Sequence, residues 1–555
     1  MTGLATSAWS SIERALKGRS FGFAFTRRGV TAYVGQVRSG QIDVPLRVEI
    51  TDPLMMPPPK IFITDDAVLT RIGAHLNTDR SLCYAEEAVE EYDPYNAGGA
   101  VLRILESVKT TLGQVLHSSS AADLQREFVA YWKAETFLFT DLPAGFSGKA
   151  KTVVWTKAGR TSLVVTVPNR LTRWSDAKAR DADEAYVLKS DRPFNTSVGE
   201  GPGDSLASLR KWMGRFVDDQ DAVARAFVPG LVDKGTVVLM ADNGAVAATF
   251  AWPTVAKLAY AGAPANRRAR SIAHGETQMA LEKSVAESLA LPELVNARLA
   301  APSPLIGKSV AVVGAGAIGS RVCLELARSG AGQSELPLLI VDPDLFLAAN
   351  FARHVLPISA VRQPKATAMM EELRRIHPGL NVEGVDRSAF DMLHKLAAYD
   401  LVIDATGANP VALRLNAEAV SRRQAGMAFP PILHAAIHGN GLAAQTVLVT
   451  PTGHACFKCL RPEHGSFKAN PLKPGVATAF ESASCGDGAH VTYAASAPAL
   501  AAALVVQAVL DWAAAPAEPG PRVRSRVLDI ALTAPPKDRN WPVDPQCPAC
   551  QAPAA

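Results

Sequence analysis

Lys308-Ser-Val-Ala-Val-Val-Gly314-Ala-Gly316-Ala-Ile-Gly319 is the stretch on which the fold of this chain turns. A short β-branched run feeds straight into Gly-x-Gly-x-x-Gly, and residues 320–329 then read as a helix ending at Gly330. Strand, glycine loop and helix in that order let the backbone approach phosphate closely, with helix N–H groups and the helix dipole behind it. A second apolar strand, Pro337-Leu-Leu-Ile-Val341, ends in Asp342. A carboxylate there can accept the hydroxyls of an adenosine ribose. To this point an NAD-dependent oxidoreductase and an ATP-using enzyme fit equally.

At 555 residues the chain exceeds one core and suits two to four domains. Its net charge of +4 is small for that length, so a nucleic-acid or anionic-membrane binder is not expected. No basic segment followed by an apolar one and a cleavage site opens the sequence, which together with the cysteine usage suits a reducing cytoplasm. One apolar run, residues 493–514, is long enough to span a bilayer. It carries Gln507 and Asp511 and is dominated by alanine, so a buried core helix is expected.

Five of the seven cysteines lie between residues 456 and 550, as Cys456-Phe-Lys-Cys459, the lone Cys485, and Cys547-Pro-Ala-Cys550. Two Cys-x-x-Cys turns brought together give four thiolates around a tetrahedral Zn²⁺ with no open position, which is structural rather than catalytic zinc. Cys485 sits in the polar, glycine-flanked Ser484-Cys-Gly-Asp-Gly488, a context suited to a thiol that must reach an activated carbonyl. A free thiol is only about 3% thiolate at pH 7, so it needs local activation.

Downstream of Asp342 the sequence reads Asp342-Pro-Asp344, Asn350-Phe-Ala-Arg353-His354, then Arg362-Gln-Pro-Lys365. This resembles the ThiF-type and ubiquitin-activating enzyme superfamily, over essentially all of 305–552. The resemblance implies that ATP lies over Gly314, Gly316, Gly319 and Asp342, and that Asn350, Arg353 and Lys365 contact its phosphates. Fixed cations suit adenylation, because charge builds on departing pyrophosphate. It also implies zinc at the two cysteine pairs, an acceptor role for Cys485, and a homodimer through the adenylation domain. His354 stands where the family has glutamine. Gly407, in Asp404-Ala-Thr-Gly407, stands where it has a second acid for Mg²⁺. Either Asp404 takes that place or Mg²⁺ is held mainly by phosphates and water.

Near the other end, an amphipathic helix at 7–16 precedes strand-like segments around 31–36 and 44–50 and the proline cluster Pro53-Leu-Met-Met-Pro-Pro-Pro-Lys60-Ile-Phe-Ile63. His75-Leu-Asn77, Leu82-Cys83-Tyr84, Tyr92-Asp-Pro94 and a helix at 100–116 follow. Over residues 1–120 this resembles a divergent ubiquitin-conjugating domain. By that resemblance Cys83 carries an acyl group and Asn77 donates to the oxyanion as an amine attacks. Leu76 replaces the family's proline, and residues 85–91 are unusually acidic.

The middle, 146–295, shows strands at 151–157, 162–167, 235–240 and 246–252, a helix at 205–220 and a loop at 181–204, with no catalytic constellation. Arg267-Arg268-Ala-Arg270 reads as a solvated turn.

The expected fold is therefore α/β: a Rossmann-like adenylation domain with a zinc knot at 296–555, an α+β conjugating-like domain at 1–145, and an α/β linker between them. The expected function is ATP- and Mg²⁺-dependent adenylation of a ubiquitin-like or other protein C-terminus, capture on Cys485, transfer to Cys83 and conjugation to a target amine. The layout resembles the bacterial activating–conjugating fusions of antiphage defence operons. A sulfur-carrier or metabolite adenylating enzyme, with the N-terminal domain only docking, is the alternative. An NAD-dependent oxidoreductase or a nucleotide-sensing scaffold is a third reading.

Overall fold

The computed structural model describes residues 3–551, except 85–92, 118–127, 195–202, 228–233, most of 252–280, 483–488 and isolated positions elsewhere. The chain divides into two compact units, Met1–Ser288 and Leu289–Ala555.

The first unit begins with the helix Gly3–Lys17, whose Ala8, Ile12 and Leu16 recur every four residues and are buried. Four strands follow as an antiparallel meander: β1 Gly22–Arg27, β2 Val30–Ser39, β3 Ile42–Ile50 and β4 Lys60–Ile63. The inward residues of β3 (Val44, Leu46, Val48, Ile50) alternate with more exposed ones, as a sheet with one covered face requires. They share a core with the first helix and with Val101, Ile104 and Val108 of the helix Ala97–His117.

A closed barrel follows. Its strands are β5 Thr136–Asp141, β6 Gly148–Lys157, β7 Arg160–Thr166, β8 Asp183–Lys189, β9 Lys234–Ala241, β10 Gly244–Ala251 and β11 Leu281–Ser288, in the order β10-β11-β5-β7-β6-β8-β9. The barrel takes in β5, ahead of the expected boundary at 145, because β5 pairs in parallel with both β7 and β11. The helix expected over 205–220 is two, Leu206–Met213 and Gln220–Ala226, since Asp219 caps a new start through the Ala222 amide. Part of the expected loop 181–204 is β8. The arginines at 267–270 lie outside the described residues.

The second unit holds a seven-stranded sheet ordered β14-β13-β12-β15-β16-β17-β20. Its strands are β12 Val310–Val313, β13 Leu338–Val341, β14 Val382–Val385, β15 Leu401–Asp404, β16 Ile432–His438, β17 Ala443–Val449 and, after the small hairpin β18 Phe480–Ser482 and β19 Ala489–Val491, β20 Val523–Val527. The first five run parallel, and β17 and β20 are antiparallel additions. β12, β13 and β15 are buried, largely apolar runs, as strands covered on both faces must be. β12 lies between β13 and β15, so the strand order reverses there and a crevice opens at the strand C-termini. The alanine-rich helix Ser496–Ala514 is packed into this core, with Val505 and Val509 fully buried beside Val322 and Leu326.

Candidate active site

The crevice at the reversal is a cleft of about 550 Å³ lined by Gly314, Gly316, Asp342, Asp344, Asn350, Arg353 and Lys365, among others. Each glycine has its own role. Gly314 takes a φ of +89°, and a Cβ there would meet Thr406 at 2.8 Å. A Cβ on Gly319 would lie 1.8 Å from the Gly314 carbonyl, so this glycine allows the helix to approach the loop. Gly316 is the N-cap of the helix Ala317–Arg328 and has open space at its Cβ position. Its face is bare backbone, which suits an anion.

Asp342 is buried, and its carboxylate accepts from the amides of Ala315 (2.6 Å) and Asp344 (2.8 Å). It therefore ties the glycine loop to the end of β13. Burial pushes its carboxyl up despite those amides. Lys365 pairs with Asp344 at 2.9 Å; the lysine side chain is 11% exposed and the aspartate 66%. Asn350 and Arg353 stand on the 3-10 turn Ala348–Arg353. Arg353 donates to the Val491 carbonyl (3.3 Å) and lies 5.1 Å from the centre of the Tyr493 ring. The opposite wall is apolar, with Phe390 under the Arg414 guanidinium at 3.9 Å.

Two residues depart from expectation. His354 does more than fill the place of a glutamine. Its Nδ1 accepts from the Leu356 amide, so Nε2–H donates to the Ala315 carbonyl (2.6 Å) and braces the glycine loop. Burial, aided by Lys365 and Arg321, pushes its pKa down to about 4, keeping it neutral. Asp404, one of the two expected ways of holding magnesium, is not among the residues that line this cleft. It is buried behind the wall, with one oxygen accepting from Thr406 N and Oγ1 (3.1 and 2.7 Å) and the other facing His434 Nδ1 (2.9 Å). The exposed carboxylate on the cleft is Asp344.

Cys485 lies outside the described residues. The strands on either side of that segment pair, with Ser482 opposite Ala489, and the second leads to Val491 and Tyr493 at the cleft.

The four paired cysteines come together, with every Sγ within 4.8 Å of the others. Neighbouring sulfurs are 3.7, 3.8 and 3.6 Å apart. Zinc–sulfur bonds of about 2.3 Å in a tetrahedron place sulfurs about 3.8 Å apart, so the cluster fits Zn²⁺. Burial pushes the Cys456 thiol up to about 11, so a thiolate there would need a cation beside it.

In the first unit, Leu76 and Leu82 form an antiparallel bridge. Cys83 stands opposite His75, its amide donating to the His75 carbonyl at 2.7 Å, and Asn77 stands opposite Ser81. Cys83 is exposed. Asn77 Nδ2 donates to Ser81 Oγ (3.0 Å), whose hydroxyl donates to Asp79 (2.6 Å), which in turn pairs with Lys60 (2.6 Å). The Lys60 ammonium, with the Ser81 hydroxyl and amide, lowers the Asp79 carboxyl to about 2. Sequence reading found Asn77 and Cys83 but not this chain of supports. Residues 85–91 and Tyr92 lie outside the described residues.

Such a reversal cleft with its own four-thiolate knot, joined to a meander carrying an exposed cysteine, defines an E1/E2-like enzyme. Residues 303–549 match the ThiF family, and residues 9–140 match prokaryotic E2 family B. The chain thus joins a ThiF adenylation domain to an E2-like domain. Among its relatives is the ATP-dependent ubiquitin transferase-like protein Cap2 of Pseudomonas aeruginosa, 26% identical over 99% of this chain and 100% of that one. The Cap2 of Vibrio cholerae is 26% identical over 80% of each chain. E. coli MccB, solved with AMPCPP and MccA, superposes with a TM-score of 0.34 at 20% identity, over 46% of this chain and 69% of that one.

Proposed function

We propose that the chain activates the C-terminal carboxylate of a ubiquitin-like protein with ATP and passes it along two cysteines to a target amine. The nucleotide would lie across the cleft, with phosphates over Gly314–Gly316 and the base toward Phe390. A carboxylate oxygen attacks the α-phosphorus and pyrophosphate leaves, with Arg353 and Lys365 countering the charge that develops. Asp344, the exposed carboxylate on the cleft, would help hold Mg²⁺, which would offset charge on the phosphates. The Cys485 thiolate then attacks the acyl carbon and AMP leaves. The Cys83 thiolate takes the acyl group, which frees the Cys485 thiol. A target amine attacks the Cys83 thioester, Asn77 donating to the oxyanion, and an amide and a free thiol result. Zinc at the four thiolates is structural. Fusion makes the sulfur-to-sulfur transfer intramolecular, at high effective concentration. A reducing cytoplasm suits the free thiols this relay needs.

The observation that carries this reading is the meeting of Arg353 and Lys365 with the bare glycine backbone in one cleft. A dehydrogenase expels no pyrophosphate, so it has no developing leaving-group charge for those cations to balance.

The test incubates the full chain with ATP and a ubiquitin-like protein, using wild type, Cys485→Ala and Cys83→Ala, read by intact mass and non-reducing gels. A thiol-sensitive adduct lost in Cys485→Ala, and retained on Cys485 in Cys83→Ala, is expected. AMP formation without any cysteine adduct would leave the sulfur-carrier type of adenylation in its place.

A further inference from the structure

β15 and β16 run parallel, and their register sets Asp404 directly beside His434. Both side chains are almost sealed from solvent, 3% and 4% exposed. A lone buried carboxylate is costly, and this one is satisfied on both oxygens. His434 Nδ1 approaches one oxygen at 2.9 Å, so that nitrogen carries the proton. Thr406 holds the other oxygen with its amide and hydroxyl, and the Thr406 oxygen in turn accepts the Ala408 amide at 3.2 Å. The chain His434–Asp404–Thr406–Ala408 thus runs from the interior of the sheet to the turn 406–408.

That turn is one wall of the cleft: Thr406, Gly407 and Ala408 all line it. It is also the surface against which the glycine loop closes, since Thr406 leaves no room for a Cβ on Gly314. On its other side the His434 ring lies 4.5 Å from the ring of Phe457. Phe457 stands between two zinc-site cysteines, and its amide donates to Asn416 at 2.8 Å. Asn416 also reaches Cys456 Sγ at 3.7 Å. The histidine is therefore seated between the four-thiolate knot and the nucleotide wall, and its hydrogen bond toward that wall is the one to Asp404.

We propose that His434 is a positioning residue for nucleotide binding, holding the Asp404 carboxylate so that the 406–408 turn keeps the shape that ATP meets. This rests on reading the cleft as the ATP site. The turn carries no group that reacts in adenylyl transfer and would meet bound ATP and the transition state alike, so its loss weakens binding and not turnover. An asparagine at 434 keeps an amide N–H close to the position of Nδ1–H, whereas leucine keeps the bulk without a donor.

The experiment measures ATP affinity by titration calorimetry and, with a ubiquitin-like protein supplying the carboxylate, pyrophosphate exchange on the full chain, for wild type, His434→Leu and His434→Asn. Zinc content and thermal unfolding are recorded alongside. His434→Leu is expected to raise the KM for ATP about tenfold, with turnover at saturating ATP within about twofold and zinc content unchanged. His434→Asn restores affinity to within about threefold of wild type. Thr406→Val, at an exposed position, reproduces the KM rise even should His434→Leu fail to fold. Combined with His434→Leu it is no worse than either alone, as two steps of one chain should be. Unchanged affinity in His434→Leu or Thr406→Val, or failure of His434→Asn to recover it, overturns the proposal. No ATP binding by the unmodified chain overturns the reading of the cleft itself, an outcome distinct from a loss confined to the variants.

Discussion

The nucleotide cleft and the Cys83 site are built in opposite ways. The cleft stands at the ends of fully buried strands, and its polar groups are braced by other segments: Asp342 by two amides, the Ala315 carbonyl by His354, Lys365 by Asp344. Cys83 is exposed beside a single bridged pair, and the support for Asn77 runs outward through Ser81 and Asp79 to the exposed Lys60. An acyl-adenylate is destroyed by water, so the site that makes it gains from enclosure and fixed dipoles. A conjugating cysteine must receive a second protein and a bulky acceptor, so it gains from openness.

Substitutions at each site separate the two designs. The largest effect is expected from Cys83→Ala, which ends conjugation beyond detection while ATP–pyrophosphate exchange in the second unit continues. Arg353→Ala should lower exchange about 10²- to 10³-fold, the range for removing one preorganised transition-state donor. Stripping the metal from Cys456, Cys459, Cys547 and Cys550, or replacing Cys459 with alanine, should lower the second unit's calorimetric transition and leave that of the first in place. If both transitions move together, the contrast between two separately built units fails. Ser81→Ala takes away the Asn77 anchor, one ordinary hydrogen bond worth about 1 kcal/mol, so conjugation should slow about fivefold with thioester formation intact.

A stability effect rather than an activity effect is expected in the pH dependence. His354 and His438 are pushed down to about 4, chiefly by burial, from an ordinary 6.5. Between those values the unfolded chain binds more protons than the folded one, so stability falls as the pH drops through that window. By urea titration at pH 6.5 and 5, each histidine should contribute a loss of up to about 2 kcal/mol. His354→Gln should remove its share. A flat profile would show that these rings are not sealed in as described.

What was legible in the sequence was local in origin. The β-branched run, the glycine spacing and the Cys-x-x-Cys pairs each state their geometry within a few residues. So does the four-residue recurrence of Ala8, Ile12 and Leu16. The barrel was not legible as such, because β5 closes against β11, well over a hundred residues later, and β8 begins in a charged stretch. Asp404 drew a metal role because its partner, His434, arrives thirty residues on and on another strand. A signal was present: a histidine in the middle of the apolar run Ile432-Leu-His-Ala-Ala-Ile437 needs a buried partner. Asp219 likewise announced a fresh helix start inside what read as one helix.

The two halves of the four-thiolate knot are 91 residues apart. A ribosome adding about 5–20 residues per second needs roughly 5–20 s to travel from the first pair to the second. For that interval Cys456 and Cys459 have only each other, while the sheet strand β20, the helix Ser496–Ala514 and the segment bearing Cys485 are still being made. A chain broken off before Cys547 cannot close the cluster at all. A metal held by all four thiolates could thus bind only a chain that already carries every strand of the seven-stranded sheet.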